Sequence, residues 1–231
     1  MGATLGAAVT ETLVAPKPFR IVDMVIGFVG AIVLANIGMG VAMKSDGSHF
    51  AVFAAGMSGL WLGLLVSVRF AARRSTVAMS SAFAITFRKG DVLRGLAIGV
   101  VCQLVPVQLI YLALQLFFDP GDVADRFIEM YGQGWHIYPL LFGLVLVTPV
   151  IEELFYRGQV LRTISQWLPP RYAALISALL FAAMHFNPLS MLGLFCFGIV
   201  LAEAVHRTGR LGFSIFAHIG FNAAAFALVL L

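Results

Sequence analysis

The stretch that decides the fold is YPLLFGLVLVTPVIEELFYR, residues 138–157. It runs from Tyr138 to Ile151 without a charge, then places Glu152 and Glu153 side by side, with Arg157 four residues after the second glutamate. The uncharged part has the composition of a membrane-spanning helix. Because a carboxylate at the centre of a bilayer costs about 2.5–3.5 kcal/mol even on insertion scales, the glutamate pair is by default a functional-site hypothesis.

The composition of the whole chain agrees with a membrane protein. Of the 231 residues, 61% are apolar and 11% are charged, whereas a soluble domain has about 25% charged residues. The length is sufficient for one helix bundle and leaves no room for a separate soluble domain. The net charge of +4 comes from basic residues in loops, which indicates a topology signal and no nucleic-acid partner.

Apolar stretches of spanning length predict an all-α fold, a polytopic transmembrane helix bundle of about seven spans. Residues 1–20 form a short cytoplasmic tail, and residues 21–231 form one membrane-embedded domain. An eighth span within residues 75–90 stays open, and the fifth and sixth stretches are short. The seven stretches are residues 21–43, 50–70, 92–118, 137–157, 172–187, 189–206 and 211–231.

The distribution of basic residues predicts the orientation. If the N-terminus is cytoplasmic and the spans alternate, only Lys44 and Arg126 of the 15 Lys and Arg lie on the opposite side. This bias predicts an N-in, C-out, multi-pass protein of the bacterial plasma membrane, surrounded by membrane lipids. The other basic residues are Lys17, Arg20, Arg69, Arg73, Arg74, Arg88, Lys89, Arg94, Arg157, Arg162, Arg171, Arg207 and Arg210.

Three further polar positions lie within apolar segments: His185, His218 and Asn222. On a helix, Glu153 and Arg157 share a face because they are four residues apart, and so do His218 and Asn222. Pro169-Pro170 predicts a turn between the fourth and fifth helices. Glu152 is 17 residues before this turn and His185 is 15 residues after it, so we expect the two side chains at one depth.

Two carboxylates, two imidazoles and an amide are sufficient to hydrolyse an amide bond without a covalent intermediate. A buried carboxylate can take a proton from water, a histidine can orient that water, and N–H groups can stabilise an oxyanion. Zinc held by His185, His218 and Glu152 is the alternative. The His-Glu-x-x-His helix signature is absent, which favours a reaction without metal or other cofactor.

The chain resembles the CPBP (ABI) family of intramembrane glutamic endopeptidases, which includes the type II CAAX prenyl proteases. Three ordered motifs carry the resemblance within about residues 137–231. The segments of this chain that are similar to the family's motifs are Glu152-Glu153-Leu154-Phe155-Tyr156-Arg157, Phe181-Ala182-Ala183-Met184-His185 and His218-Ile219-Gly220-Phe221-Asn222.

The resemblance implies a membrane protease and a role for each matching residue. Glu152 is the general base on water, assisted by His185, and Glu153 is a supporting carboxylate tied to Arg157. His218 and Asn222 form the oxyanion site, and Phe181 supports the site by packing. The substrate is a peptide or protein, and the eukaryotic members cleave the last three residues from prenylated CAAX proteins.

Other interpretations of the same residues stay open. The glutamates and Arg157 can form a purely structural ion-pair network. A catalytically silent scaffold or immunity-type protein would bind a partner through the same cavity. A transporter would use buried carboxylates as proton carriers, but repeated halves are not seen in the sequence. Residues 75–91 are interpreted as a loop in preference to a surface segment, and Glu203 and His206 as solvated side chains.

Overall fold

The computed structural model describes residues 19–45, 47–117 and 134–230. Nearly all of the predicted tail, residues 1–20, lies outside this part of the chain, as does Arg126. The described residues form eight helices and no strand, which confirms the all-α bundle. The helices are α1 (Ile21–Ser45), α2 (His49–Arg73), α3 (Met79–Ala82), α4 (Lys89–Leu114), α5 (Ile137–Ser165), α6 (Pro170–Ala183), α7 (Pro188–Thr208) and α8 (Gly212–Leu230).

Six of these helices are long and apolar enough to cross a bilayer: α1, α2, α4, α5, α7 and α8. Large apolar side chains such as Val41, Leu112 and Leu179 point outward, where lipid chains surround an integral membrane protein. The fifth predicted stretch is the 14-residue α6, which is shorter than the roughly 20 residues of a full crossing. The sixth is not short, because α7 has 21 residues.

The possible eighth span within residues 75–90 is not present, since only the four-residue α3 and the first two residues of α4 are helical there. The rest of residues 75–88 is irregular, as the interpretation as a loop predicted, but part of the segment is buried. Phe83 is fully buried and packs edge-on against Phe19. The carbonyl groups of Ala84 and Thr86 accept hydrogen bonds from Leu211 and Gly212 at the start of α8. We call residues 75–88 the strap.

The predicted basic segments lie together at one end of the bundle, which we call the basic end. Arg74, just after α2, pairs with Asp23 at the start of α1. Gln166, after α5, donates a hydrogen bond to the carbonyl of Phe19. Arg210, before α8, forms a two-point ion pair with Asp91 in the first turn of α4. The basic segments therefore lie on one side of the membrane-spanning bundle, as predicted. That this side is the cytoplasmic one stays a prediction.

Helix α5 is not a regular α-helix along its length. It contains two π-helical turns, Gly143–Val147 and Tyr156–Val160, on either side of the α-helical segment Thr148–Phe155. Single π-turns inside α-helices are frequent at functional sites because they shift the register of the backbone hydrogen bonds. Glu152 and Glu153 lie in the α-helical segment between these turns.

Candidate active site

Glu153 and Arg157 form a fully buried ion pair on α5. Arg157 Nη1 donates to Glu153 Oε1 at 2.7 Å, and both side chains are 0% exposed. Arg157 also donates from Nη2 to the carbonyl oxygen of Gly198 on α7, at 3.1 Å. Its guanidinium carbon lies 4.7 Å from the ring centroid of Phe181 on α6. Arg157 thereby ties α5 to two neighbouring helices and supplies the charge that a buried carboxylate requires.

His218 on α8 bridges the two glutamates. Its Nδ1 lies 3.0 Å from Oε1 of Glu153, and its Nε2 lies 3.7 Å from Oε2 of Glu152. The Glu153 carboxylate accepts from Nδ1–H, which fixes the tautomer and the orientation of the imidazole. The Nε2 edge then faces Glu152. This arrangement, in which one carboxylate orients a histidine and the histidine faces the reacting position, is the geometry used by carboxylate–histidine pairs in hydrolases.

Glu152 differs from its neighbour in its partners. It is 8% exposed, and within the described part of the chain its Oε2 accepts no hydrogen bond. Glu153 Oε1, by contrast, accepts from both Arg157 and His218. A buried polar atom without a protein partner requires water or a ligand. Oε2 of Glu153 also accepts no hydrogen bond from the described residues, but Glu153 is held through Oε1 by Arg157 and His218. Among these residues Glu152 lacks such a direct hydrogen bond, so it is the carboxylate whose charge is left for a bound water.

Phe181 packs against the cluster from α6. The ring is fully buried, with centroid distances of 5.4 Å to His218 and 5.2 Å to Tyr156. His185 lies one turn later, in the connection to α7, and is exposed. Its Nδ1 is 2.8 Å from the carbonyl oxygen of Phe181, and its ring contacts that of Phe181 at 4.9 Å. The structure places His218, and not His185, in direct contact with the glutamates.

Asn222 lies one turn beyond His218 on α8 and is half-buried. Its Nδ2 donates to the carbonyl oxygen of Leu144 at 2.8 Å. Leu144 lies in the first π-turn of α5, before the glutamates. The amide of Asn222 is thus oriented by the backbone of the helix that carries Glu152, and its second N–H stays available for another acceptor.

An apolar groove of about 130 Å³ runs between α2 and α5 and reaches Leu144. Phe50, Phe53 and Trp61 line it from α2, and Pro139 lines it from α5. Trp61 also donates from Nε1 to Oγ1 of Thr148 at 3.1 Å, one turn before Glu152. The groove therefore places apolar and aromatic side chains beside the carbonyl group that orients Asn222.

Sequence reasoning missed the backbone groups of the site and one buried histidine. The carbonyls of Gly198 and Leu144 have no side-chain signal, although Pro149 in α5 marks a disturbed helix. The interpretation of His206 as solvated is wrong: it is 9% exposed, whereas Glu203 pairs with Arg207 at the surface. Among the described residues, no group of three or more His, Cys, Asp or Glu side chains is arranged to hold a metal ion.

Comparison with known proteins locates the same region of the chain. Residues 134–224 match the family described as Type II CAAX prenyl endopeptidase Rce1-like. The match includes all three sequence motifs and supports an intramembrane endopeptidase at the level of the family. No curated protein and no solved structure matches the chain. Residues 134–224 are thus similar to the Rce1-like type II CAAX prenyl endopeptidases, the CAAX-protease-like group that the sequence motifs also resemble.

Proposed function

We propose that the protein is a glutamic endopeptidase that hydrolyses peptide bonds within the membrane, with Glu152 as the general base. The observation that carries the proposal is the difference between the two glutamates. Arg157 and His218 hydrogen-bond to Oε1 of Glu153, whereas among the described residues the buried Glu152 has only the longer 3.7 Å approach of His218 Nε2 to its Oε2. A purely structural ion-pair network would use both carboxylates, and a silent scaffold would not need a water-binding one.

The reaction follows from these contacts. Glu152 takes a proton from a water molecule, and the hydroxide attacks the carbonyl carbon of the scissile peptide bond. The oxyanion accepts hydrogen bonds from Asn222 and from Nε2–H of His218 in its protonated form. Glu152 then gives the proton to the leaving nitrogen, the C–N bond breaks, and a carboxylate and an amine are released. His185, at the rim of the site, orients the incoming water or the substrate.

Glu153 and Arg157 act in this scheme as the support of the site. Glu153 holds His218 in one orientation, and Arg157 balances the charge of Glu153 and fixes α5 against α6 and α7. We propose that no metal takes part. The proposal is supported by the separate elements that carry the candidate ligands and by the missing zinc-helix signature. Stoichiometric zinc in the purified protein, with activity lost on chelation and restored by zinc, would contradict this part.

The substrate is proposed to be a peptide or protein with an apolar segment beside the cleaved bond. The apolar groove reaches Leu144, whose carbonyl orients Asn222. Purified protein in liposomes is incubated with a peptide library that contains prenylated and unprenylated members, and products are identified by mass. Glu152→Ala is the inactive control and Glu203→Gln the matched neutral control. We expect cleavage by the wild type and by Glu203→Gln only; equal cleavage by Glu152→Ala would contradict the proposal.

We also propose that the basic end faces the cytoplasm, because basic residues mark the inner side of bacterial membrane proteins. Two exposed tryptophans make a matched pair of probes: Trp167 at the basic end and Trp135 before α5 at the other end. Each is changed to cysteine in a protein whose Cys102 and Cys196 are replaced by alanine. A membrane-impermeant thiol reagent on intact cells labels Trp135→Cys and not Trp167→Cys if the orientation is right. The reverse pattern would contradict it.

A further inference from the structure

The first π-turn of α5 releases one backbone carbonyl group. The N–H of Thr148 donates to the carbonyl of Gly143, five residues earlier, which is the π-helical register. In the same register, the donor for the carbonyl of Leu144 would be residue 149. That residue is Pro149, which has no backbone N–H. The Leu144 carbonyl therefore lacks a partner within its own helix.

The side-chain amide of Asn222 donates a hydrogen bond to this free carbonyl oxygen. Its Nδ2 lies 2.8 Å from the Leu144 oxygen, across the contact between α8 and α5. Pro149 is itself buried and lies three residues before Glu152. Both the proposed base and the acceptor that orients Asn222 thus belong to one short segment of α5. Without the proline, a backbone N–H at position 149 would compete with Asn222 for the same oxygen.

We propose that Pro149 is a positioning residue, which acts through the Leu144 carbonyl to hold the Asn222 amide in the orientation required by the oxyanion. This inference rests on the proposed function for its catalytic meaning. The structural half, that Pro149 keeps the Leu144 carbonyl open for Asn222, is independent of any substrate.

Pro149→Ala tests the inference because it restores the missing donor and leaves the charged cluster unchanged. Pro106→Ala is the matched control, since Pro106 also lies in a π-turn, Gln103–Val107 of α4, and its side chain is exposed. We expect kcat to fall about tenfold to a hundredfold for Pro149→Ala, less than for complete loss of an oxyanion donor. The KM of Pro149→Ala and the kcat of Pro106→Ala should each stay within about twofold of the wild-type value.

A double variant shows whether Pro149 acts through Asn222. In the Asn222→Ala background, Pro149→Ala should cause no further loss, because residues that act as one unit are not additive. A full additional loss in that background would overturn the inference, and so would unchanged kcat in Pro149→Ala while Glu152→Gln is inactive. Turnover by Glu152→Gln would instead refute the proposed function.

The side-chain amide of Asn222 gives a reading that requires no turnover. The chain has three asparagines, Asn36, Asn187 and Asn222, so selective ¹⁵N labelling gives three amide signals, and Asn222→Ala assigns one of them. We expect Pro149→Ala to move the Asn222 signal, and Pro106→Ala to leave it in place. An Asn222 signal that is identical in wild type and Pro149→Ala would overturn the inference even if no substrate is found.

Discussion

The two parts of the chain place their buried charged groups differently. In residues 134–230, Glu152, Glu153, Arg157 and His218 are buried and come from the middle of two helices. In residues 19–117, the buried charged groups are Asp23 and Asp91. Both lie at the basic end and pair with more exposed arginines, Arg74 and Arg210.

Glycines let the N-terminal helices lie close to their neighbours, and Gly198 and Gly220 do the same in α7 and α8. A Cβ on Gly63 of α2 would overlap the backbone of Ala31 on α1, and a Cβ on Gly99 of α4 would overlap the carbonyl oxygen of Ala217 on α8. Small residues give such close contacts between membrane helices. In the proposed reaction the motif region carries the chemistry, whereas the glycine contact of α4 holds α8 in place.

The largest expected effect is on stability, for Arg157→Gln. The change leaves the fully buried Glu153 without its ion-pair partner, and breaking a buried pair costs about 3–5 kcal/mol. Thermal unfolding in detergent measures the loss. The matched control is Arg207→Gln, which breaks the exposed pair with Glu203 and should change stability by less than about 1 kcal/mol. Equal losses would remove the distinction between buried and surface pairs.

His218→Ala should follow, with its effect on turnover. His218 contacts both glutamates, whereas His185 has its contacts with Phe181. We expect a loss of about 10²–10³ in kcat for His218→Ala and a smaller one, about tenfold, for His185→Ala, which holds water at the rim. Steady-state kinetics on one verified substrate measure both. A larger loss of kcat for His185→Ala than for His218→Ala would contradict this prediction, because it would place the water molecule on the His185 side of Glu152.

Gly99→Ala sharpens the comparison from the N-terminal side. The added methyl group would overlap Ala217, the neighbour of His218, so α4 and α8 must separate. Overpacking of this kind costs about 1–3 kcal/mol. Gly40→Ala is the control, since nothing lies within 4 Å of its added carbon, and it should be neutral or stabilising by less than about 1 kcal/mol. Equal melting temperatures for the two variants would contradict the proposed role of close packing.

A stability effect of similar size distinguishes two ion pairs near the basic end. Asp91 is buried. Its carboxylate accepts two hydrogen bonds from Arg210 and one from the backbone N–H of Arg88. Asp91→Asn should lower the free energy of unfolding by about 1.5–3 kcal/mol, the usual contribution of hydrogen bonds to a charged group. Glu203→Gln, in the exposed pair, should cost less than about 0.5 kcal/mol. Urea or thermal unfolding of both variants decides whether the strap and α4 hold the start of α8.

Much of this organisation could be predicted from the sequence. Hydropathy located every long helix, and helical spacing placed Glu153 beside Arg157, because both signals depend on local geometry. The contact between His218 and the glutamates depends on which helices are neighbours, and a hydropathy pattern does not contain that. Six of the described helices are long enough to cross a bilayer, whereas seven spans were predicted, because α6 is too short.

The misses have physical causes as well. Phe83 and His206 lie in or beside segments rich in basic residues, and composition suggested exposure. Their burial follows from tertiary packing against Phe19 and the surrounding helices. The hydrogen bonds that the Leu144 and Gly198 carbonyls accept involve the backbone, which side-chain patterns do not reveal. Only Pro149 could have indicated that the Leu144 carbonyl is free.

The central claim is that Glu152 activates water, and Glu152→Gln tests it most directly. The substitution keeps the shape of the side chain and removes the proton acceptor, while Glu153, Arg157 and His218 keep their own bonds. The purified variant must unfold within a few degrees of wild type to be compared. We predict wild-type stability, with cleavage of a verified substrate reduced at least about a thousandfold. A folded Glu152→Gln protein that cleaves at the wild-type rate would contradict it.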